Sequence, residues 1–314
     1  MARTVAHPGT LSSQIARAIV AFAASRGVAP EELLAIGRVD EAELADIDGR
    51  VPVSTMLALW DAAPRLAGEP NFGLLLGDAT GAAGAPLLGK LFMAHATLGA
   101  GLARVQELLR VANDVNGLGS AVDGDRVRVF FTDIDPSLPL PRQAAEYGAA
   151  AFVSIARAAG GDDLSPVEVA FGHAAPGDVA AHARVFRAPV RFGAPRSELV
   201  YLAKDLERPS RAHDPMLVEL LERQAQAALD RLPARVSFVS RVREALSVLL
   251  PGGRADLDAV ASRLKLGGRT VQRYLKDEGT SFQEVLDDVR RTLAEAYLRD
   301  RDHSIAEVAI LVGF

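Results

Sequence analysis

The stretch L-D-A-V-A-S-R-L-K-L-G-G-R-T-V-Q-R-Y-L, residues 257–275, carries two helical patterns around the short break Lys265-Leu266-Gly267. Two helices joined by so tight a turn need a small residue where they cross, and Ala261 supplies it. Val260, Leu264, Leu266 and Val271 flank that crossing with apolar surface. The pattern predicts a second helix over 268–277 with Val271, Tyr274 and Leu275 turned inward. Arg269, Gln272, Arg273 and Lys276 then face outward, the first three at i, i+3 and i+4 on one face. Arginine and glutamine make paired hydrogen bonds to guanine and adenine edges in the major groove. On an isolated helix such a face would be solvated surface. On the second helix of a bihelical unit it predicts base contacts by Arg269, Gln272 and Arg273, with Thr270 and Lys276 reaching phosphates.

Downstream, S-F-Q-E-V-L-D-D-V-R-R-T-L-A-E-A-Y-L-R-D (281–300) sets Phe282, Val285, Leu286, Val289, Leu293, Ala296 and Tyr297 on one helical stripe. The final residues S-I-A-E-V-A-I-L-V-G-F (304–314) repeat the first unit at a constant offset of 48. Val308 stands for Val260, Ala309 for Ala261, Val312 for Leu264 and Phe314 for Leu266. They read as the first helix and turn of a second bihelical unit, held about one DNA turn from the first by the connecting helix. Stopping at that turn, the chain reads as cut inside the second unit. Ile305, Val308, Val312 and Phe314 would then be partly exposed, and operator binding weaker than that of a longer form.

Size and composition set wider bounds. The 314 residues, 49% apolar and 24% charged, suit a soluble globular protein of two domains. No apolar run approaches the ~20 residues of a membrane span. M-A-R-T-V-A-H-P-G-T is no export signal, so a cytoplasmic location fits. The absence of cysteine excludes disulfides, thiolate metal sites and a cysteine nucleophile. A net charge of −5 argues against non-specific coating of nucleic acid. Charge is uneven, with 13 Lys and Arg against 12 acids in 235–314 and 22 against 28 before it.

The longer N-terminal part mixes periods. Helices are expected over 11–26 (ending at Gly27), 52–67 (bent or ended by Pro64), and in one long region from Pro86 to about Asn113. Residues 117–133 alternate around Asp123-Gly124 and predict a β-hairpin. A helix at 141–159, a strand at 166–172, a helix near 177–186, extended segments at 190–194 and 198–201, and a helix at 214–232 follow. This is an α+β domain closed near Pro233. Beyond 235 the chain reads as all helical, broken at Pro251-Gly252-Gly253 and Gly267-Gly268.

No catalytic constellation emerges from it. No G-x-S-x-G occurs, and G-L-G-S-A-V (117–122) lacks the third glycine of a dinucleotide fingerprint. His173, Asp178 and His182 match no helical metal-ligand spacing and read as a surface loop. His95, Arg142 and Tyr147 are candidates for an effector pocket, with a structural role as the plainer reading of each. Arg126 and Arg128 read as the wet face of the hairpin.

Residues 256–314 closely resemble the DNA-binding domain of the AraC/XylS family of bacterial transcription regulators. The likeness lies in R-T-V-Q-R-Y-L-K-D-E-G-T-S-F, V-R-R-T-L-A-E-A-Y-L and S-I-A-E-V-A-I-L-V-G-F. It implies two helix-turn-helix units joined by a long helix, their second helices in successive major grooves. Residues 27–233 resemble more loosely the arabinose-binding-type N-terminal domain of one branch of that family. G-D-R-V-R-V, D-P-S-L-P-L-P-R-Q-A-A-E-Y and V-R-F-G-A-P-R-S-E-L-V-Y carry that likeness, which implies effector sensing or self-association. Lys265 and Gly267 stand where the family usually has Gly and Ser. Lys265 would need a left-handed backbone, and Gly267 caps a helix less well by only a few tenths of a kcal/mol.

The expectation is therefore a non-enzymatic regulator. Residues 1–233 would form an α+β effector-binding or dimerisation domain and 234–314 an all-α helix-turn-helix domain. Its partners would be operator DNA, a small effector and a second copy, with RNA polymerase also open to it; no cofactor, metal or membrane is implied. The alternatives are a dimerisation partner that cannot hold DNA, and a small-molecule-binding protein with impaired DNA binding.

Overall fold

The computed structural model describes residues 9–81, 86–133, 140–232, 238–250, 255–299 and 304–313. These fall into two compact units, one drawn from 9–232 and one from 238–313. The first is α+β and the second is helical.

The first unit opens with β1 (Thr10–Ser12), which pairs antiparallel with β2 (Arg50–Pro52). Between them run α1 (Ser13–Ala24), α2 (Pro30–Gly37) and α3 (Glu41–Ala45). Local chemistry sets these boundaries. The Ser12 hydroxyl caps α1, proline opens α2, and Asp40 with Glu43 closes a capping box on α3. Next come α4 (Val53–Leu66), which carries Pro64 in its last turn, and α5 (Phe72–Thr80).

The region after Pro86 is two helices rather than one, α6 (Leu87–Ala94) and α7 (Leu98–Leu108). His95 takes an extended backbone, and the Thr97 hydroxyl accepts from Ala100 N to start α7 afresh. Apolar periodicity runs through both, which hides the break from the sequence. His95 thus sits at the break and not within a helix.

A five-stranded sheet follows, in the order β3-β4-β7-β5-β6. β3 (Asn116–Asp123) and β4 (Arg126–Asp133) form the expected hairpin, with Asp123 opposite Arg126 and Gly124 at φ 60 in the turn. β5 (Glu168–Ala170), β6 (Val190–Arg191) and β7 (Glu198–Leu202) complete it. Only the β5–β6 pair is parallel. α8 (Arg142–Gly160) contributes Ala145, Ala149, Val153 and Ala156 to a core shared with Val127, Val129, Val169, Leu199 and Tyr201 of the sheet. The remaining α-helices of this unit are α9 (Ala180–Phe186), α10 (Ala203–Leu206) and α11 (Pro215–Asp230), and a 3-10 turn at Leu109–Val111 follows α7.

α5 meets α8 through Gly73, Gly77 and Gly81, one per turn along one face of α5 and its C-cap. A methyl group on Gly77 would lie 2.5 Å from the Tyr147 carbonyl oxygen and 2.9 Å from Ala150 Cβ. Backbone cannot yield as a side-chain tip can. Gly77→Ala is therefore expected to cost about 1–3 kcal/mol or more, measured by urea unfolding. An unchanged midpoint would show that the two helices slide apart freely.

The second unit comprises α12 (Phe238–Leu249), α13 (Leu257–Arg263), α14 (Gly268–Asp277), α15 (Phe282–Arg299) and α16 (Ile305–Leu311). Its core joins Phe238, Val242 and Leu246 of α12, Val260 and Ala261 of α13, Val271 and Leu275 of α14, and Val285, Leu286 and Val289 of α15. Ser304 and Glu307 form a capping box at the start of α16. Val308 and Val312 are buried at 4% exposure each, against the expectation that they would be partly exposed, while Ile305 is 80% exposed. Arg290 on α15 helps hold this end, donating from Nε to the Val312 carbonyl and from Nη2 to that of Gly313, both at 3.1 Å. Phe314 and the Pro251-Gly252-Gly253 break lie outside the described residues.

Candidate nucleic-acid interface

The Asp256 carboxylate caps α13 by accepting from Ala259 N at 2.7 Å. The helix ends in two reverse bonds, Leu266 N to Ala261 O at 2.8 Å and Lys265 N to Ser262 O at 3.1 Å. That pairing needs a left-handed residue between the helix and Leu266. Lys265 fills the place at φ 58, so the conformation usually given to glycine is kept with a lysine in it. Gly267 lies at φ −83 and ψ 149 as the N-cap of α14, with its carbonyl accepting from Thr270 N and Val271 N. α14 closes the same way, with Gly279 at φ 77 and Thr280 N bonded to Leu275 O at 2.9 Å.

On α14, Val271 and Leu275 are fully buried. Tyr274 is half-buried, its ring 5.5 Å from that of Phe238. Arg269, Gln272, Arg273 and Lys276 are exposed and Thr270 is half-buried. The structure brings all five predicted residues onto this one helix. The side chains of Arg269, Gln272 and Lys276 make no hydrogen bond or ion pair among the described residues. Arg273 rests on its neighbour, with Nη2 3.4 Å from the Tyr274 hydroxyl and the guanidinium 5.0 Å from the ring centre.

Supports that the sequence did not announce hold this helix in place. Glu278, just beyond α14, accepts from Phe238 N at 2.8 Å and Val239 N at 3.0 Å, so it caps α12 from another segment. Asp288 on α15 pairs with Arg243 on α12 and with Arg291. Those bonds and their charges hold the Asp288 carboxyl below the ordinary carboxylate range.

The three candidate pocket residues of the first unit occupy separate neighbourhoods. His95 lies 3.7 Å from Glu222 Oε1 of α11, a carboxylate that also pairs with Arg104 at 2.9 Å. Burial lowers the His95 imidazole, outweighing that carboxylate. Arg142 donates to Glu146 at 2.9 Å and to Asn71 Oδ1 at 2.8 Å. Tyr147 packs its ring 5.4 Å from that of Trp60, and burial raises its phenol.

Of the two histidines read as a surface loop, His173 lies in one, between exposed Gly172 and Ala174, whereas His182 does not. His182 is fully buried on α9 and bonds Glu146 Oε1 at 2.8 Å, and His173 approaches the same oxygen at 3.5 Å. Only Asp178 of the three is exposed. Burial pushes the Glu146 carboxyl up, but hydrogen bonds from His182 and Arg142, together with their charges, outweigh it and hold it down. On the hairpin Arg126 is exposed, while Arg128 pairs with Glu198 of β7 at 2.7 Å. Among the described residues no group of three His, Asp or Glu is placed to hold a metal ion, and no helix is long and apolar enough to cross a membrane.

Residues 27–210 match the family described as the arabinose-binding domain of AraC transcription regulators, N-terminal. The chain is 31% identical over 299 residues to the ornithine utilization regulator of Pseudomonas aeruginosa, covering 95% of this chain and 88% of that protein. It is 27% identical over 247 residues to the HTH-type transcriptional regulator VirS of Mycobacterium tuberculosis, covering 78% and 72%. The crystal structure of the transcriptional regulator CdpR from Pseudomonas aeruginosa aligns over 96% of this chain and 90% of that one, at 24% identity and a TM-score of 0.46. The class is that of transcription regulators. Within it, the chain belongs to the AraC-type family whose N-terminal part is an arabinose-binding domain.

Proposed function

We propose that the protein is a sequence-specific DNA-binding transcription regulator whose activity follows a small-molecule effector. In this reading residues 1–233 take the effector and associate with a second copy, and residues 234–314 read the operator. The observation that carries it is the division of α14 into two sides. Val271 and Leu275 anchor the helix, while Arg269, Gln272 and Arg273 project from it without a carboxylate partner among the described residues. Unpaired arginine and glutamine on a rigid helix suit the donor and acceptor pattern of the major groove. Thr270 at the helix start and Lys276 near its end are suited to phosphates. The relative at 31% identity is named for ornithine utilization; for this chain that adds the expectation of a small polar metabolite as effector.

Fluorescence anisotropy on labelled fragments of the protein's own promoter region tests the reading. Arg273→Ala is expected to cost about 1–3 kcal/mol, roughly a 5- to 150-fold loss, and to relax preference at one base pair. Uniform weakening on every sequence with a shallower salt slope would make Arg273 a phosphate contact. Equal affinity of the unaltered protein for promoter and random DNA would end the proposal.

A further inference from the structure

Glu146 is fully buried, and only one of its oxygens is provided for. Oε1 accepts from Arg142 Nε at 2.9 Å and from His182 Nε2 at 2.8 Å. Oε2 is buried with no hydrogen-bond partner. An ionised carboxylate oxygen can only accept, so what it lacks is a donor.

The neighbouring imidazoles cannot supply one while they are neutral. His173 Nδ1 lies 2.9 Å from the Ala174 carbonyl, which can only accept, so Nδ1 carries the hydrogen. Neutral His173 then presents a bare Nε2, buried and unpartnered, 3.5 Å from Glu146 Oε1. His182 repeats the pattern: its Nε2 must donate to Glu146, which leaves its buried Nδ1 bare and unpartnered. Three buried acceptors in one cluster thus lack a hydrogen, and each such orphan forfeits its hydration without replacement. Native interiors keep few of them. The rings of Phe171 and Phe192 flank His173 at 5.0 and 5.6 Å between centroids.

We infer that this cluster is the head-group site for an effector bearing a primary ammonium, seated against Glu146 Oε2 and His173 Nε2. An ammonium brings three donors and no acceptor, matching a site made of acceptors. Aromatic rings beside it favour the positive charge. A carboxylate or phosphate head would add acceptors to a cluster that already has too many. A hydroxyl offers one hydrogen where two atoms wait. His173, with its side chain 17% exposed and its neighbours Gly172 and Ala174 at the surface, is the edge of the cluster nearest solvent. Glu146 is on α8 and His182 on α9, His173 follows β5, and Arg142 ties the group to Asn71 at the start of α5. Filling the site therefore acts on four segments at once. The inference rests on reading the first unit as an effector domain and narrows that reading to one chemistry.

The test is thermal unfolding of the full-length protein near pH ~8, where free imidazole is neutral. The probes are n-butylammonium, tetramethylammonium and sodium chlorides at equal concentration. n-Butylammonium is expected to raise the melting temperature by about 2 °C or more over the other two salts. Glu146→Gln and His173→Phe are expected to lose that response. His173→Phe replaces a partly exposed ring with a ring, so it carries the test should Glu146→Gln fail to fold. An equal shift with all three salts, no shift with n-butylammonium, or an undiminished response in His173→Phe overturns the site. So does stabilisation by acidification to about pH 6 with no added effect of the amine at ~8, since the missing donor would then be a proton. Promoter binding measured without amine is unaffected by any of these outcomes and keeps the DNA-reading proposal separate.

Discussion

Arg157→Met is expected to lower the stability of the first unit by about 3–5 kcal/mol, among the largest effects available to one substitution there. Arg157 is 8% exposed on the inner side of α8. Its guanidinium donates to Leu164 O at 3.0 Å, Val185 O at 2.7 Å, Phe186 O at 3.0 Å and Ser165 Oγ at 3.1 Å. Val185 and Phe186 end α9, where the last carbonyls have no partner within the helix and the helix dipole favours a cation. Arg157 therefore caps α9 from another element and ties the 161–165 turn to it. Burial, with the nearby charge of Arg187, lowers its basicity, yet a guanidinium keeps its charge in any ordinary buffer. Methionine preserves much of the stem volume and leaves three buried carbonyls without donors, at roughly 1 kcal/mol or more apiece. Trp60, the sole tryptophan and 4% exposed on α4, reports the loss in a urea titration followed by fluorescence. Lysine should recover little of the deficit, because one ammonium cannot span four acceptors arranged around a planar fork. A midpoint for Arg157→Met within error of the parent would mean that water serves those carbonyls as well as the guanidinium does.

Arg157 also shows which parts of the fold could be read in advance. It stands in F-V-S-I-A-R-A-A-G, an arginine on the stripe that carries Val153 and Ala156 inward, and a buried charge on such a stripe is a signal in its own right. What the signal lacks is its partners, which come from the loop and helix after it. The same limit separates the other outcomes. α14 was legible to the residue because glycines mark both of its ends and its inward positions repeat at helical spacing. The hairpin was legible because Gly124 sits where the turn needs φ > 0. Pro86 to Asn113 read as one helix because apolar periodicity continues through Thr97, whose cap shows only in its hydrogen bond. The burial of His182 was not legible because Glu146, which organises the cluster, lies 36 residues before it in sequence. Val308 and Val312 read as partly exposed because shelter for them was sought only after them in sequence, whereas α15 precedes them. Local chemistry fixed the elements; the polar clusters depend on pairings across long stretches of chain.

Leu275→Ala is expected to abolish promoter binding near physiological temperature on every sequence alike, for a reason opposite to that of Arg273→Ala. Leu275 is fully buried in the core where α12, α13, α14 and α15 meet, with Val242, Leu246, Val271 and Val285. Truncation there removes apolar contact and leaves a cavity, at about 2–5 kcal/mol. A domain of this size has only about 5–15 kcal/mol to lose, and commonly the low end of it. The exposed face of α14 is left chemically intact, so any loss of binding comes from the population of folded helix. Two consequences separate the variants. Binding by Leu275→Ala should return as the temperature falls toward about 10–20 °C, where folded populations are greatest, and with unaltered base preference when it returns. Arg273→Ala should stay weak and stay relaxed at one position throughout that range. Amide exchange in α12 to α15 should quicken in Leu275→Ala, while exchange in β4 and β7, which belong to a different core, should hold its rate. A cold-stable loss of base preference in Leu275→Ala, with exchange unchanged, would mean that this side of α14 touches DNA and that the helix has been placed the wrong way round.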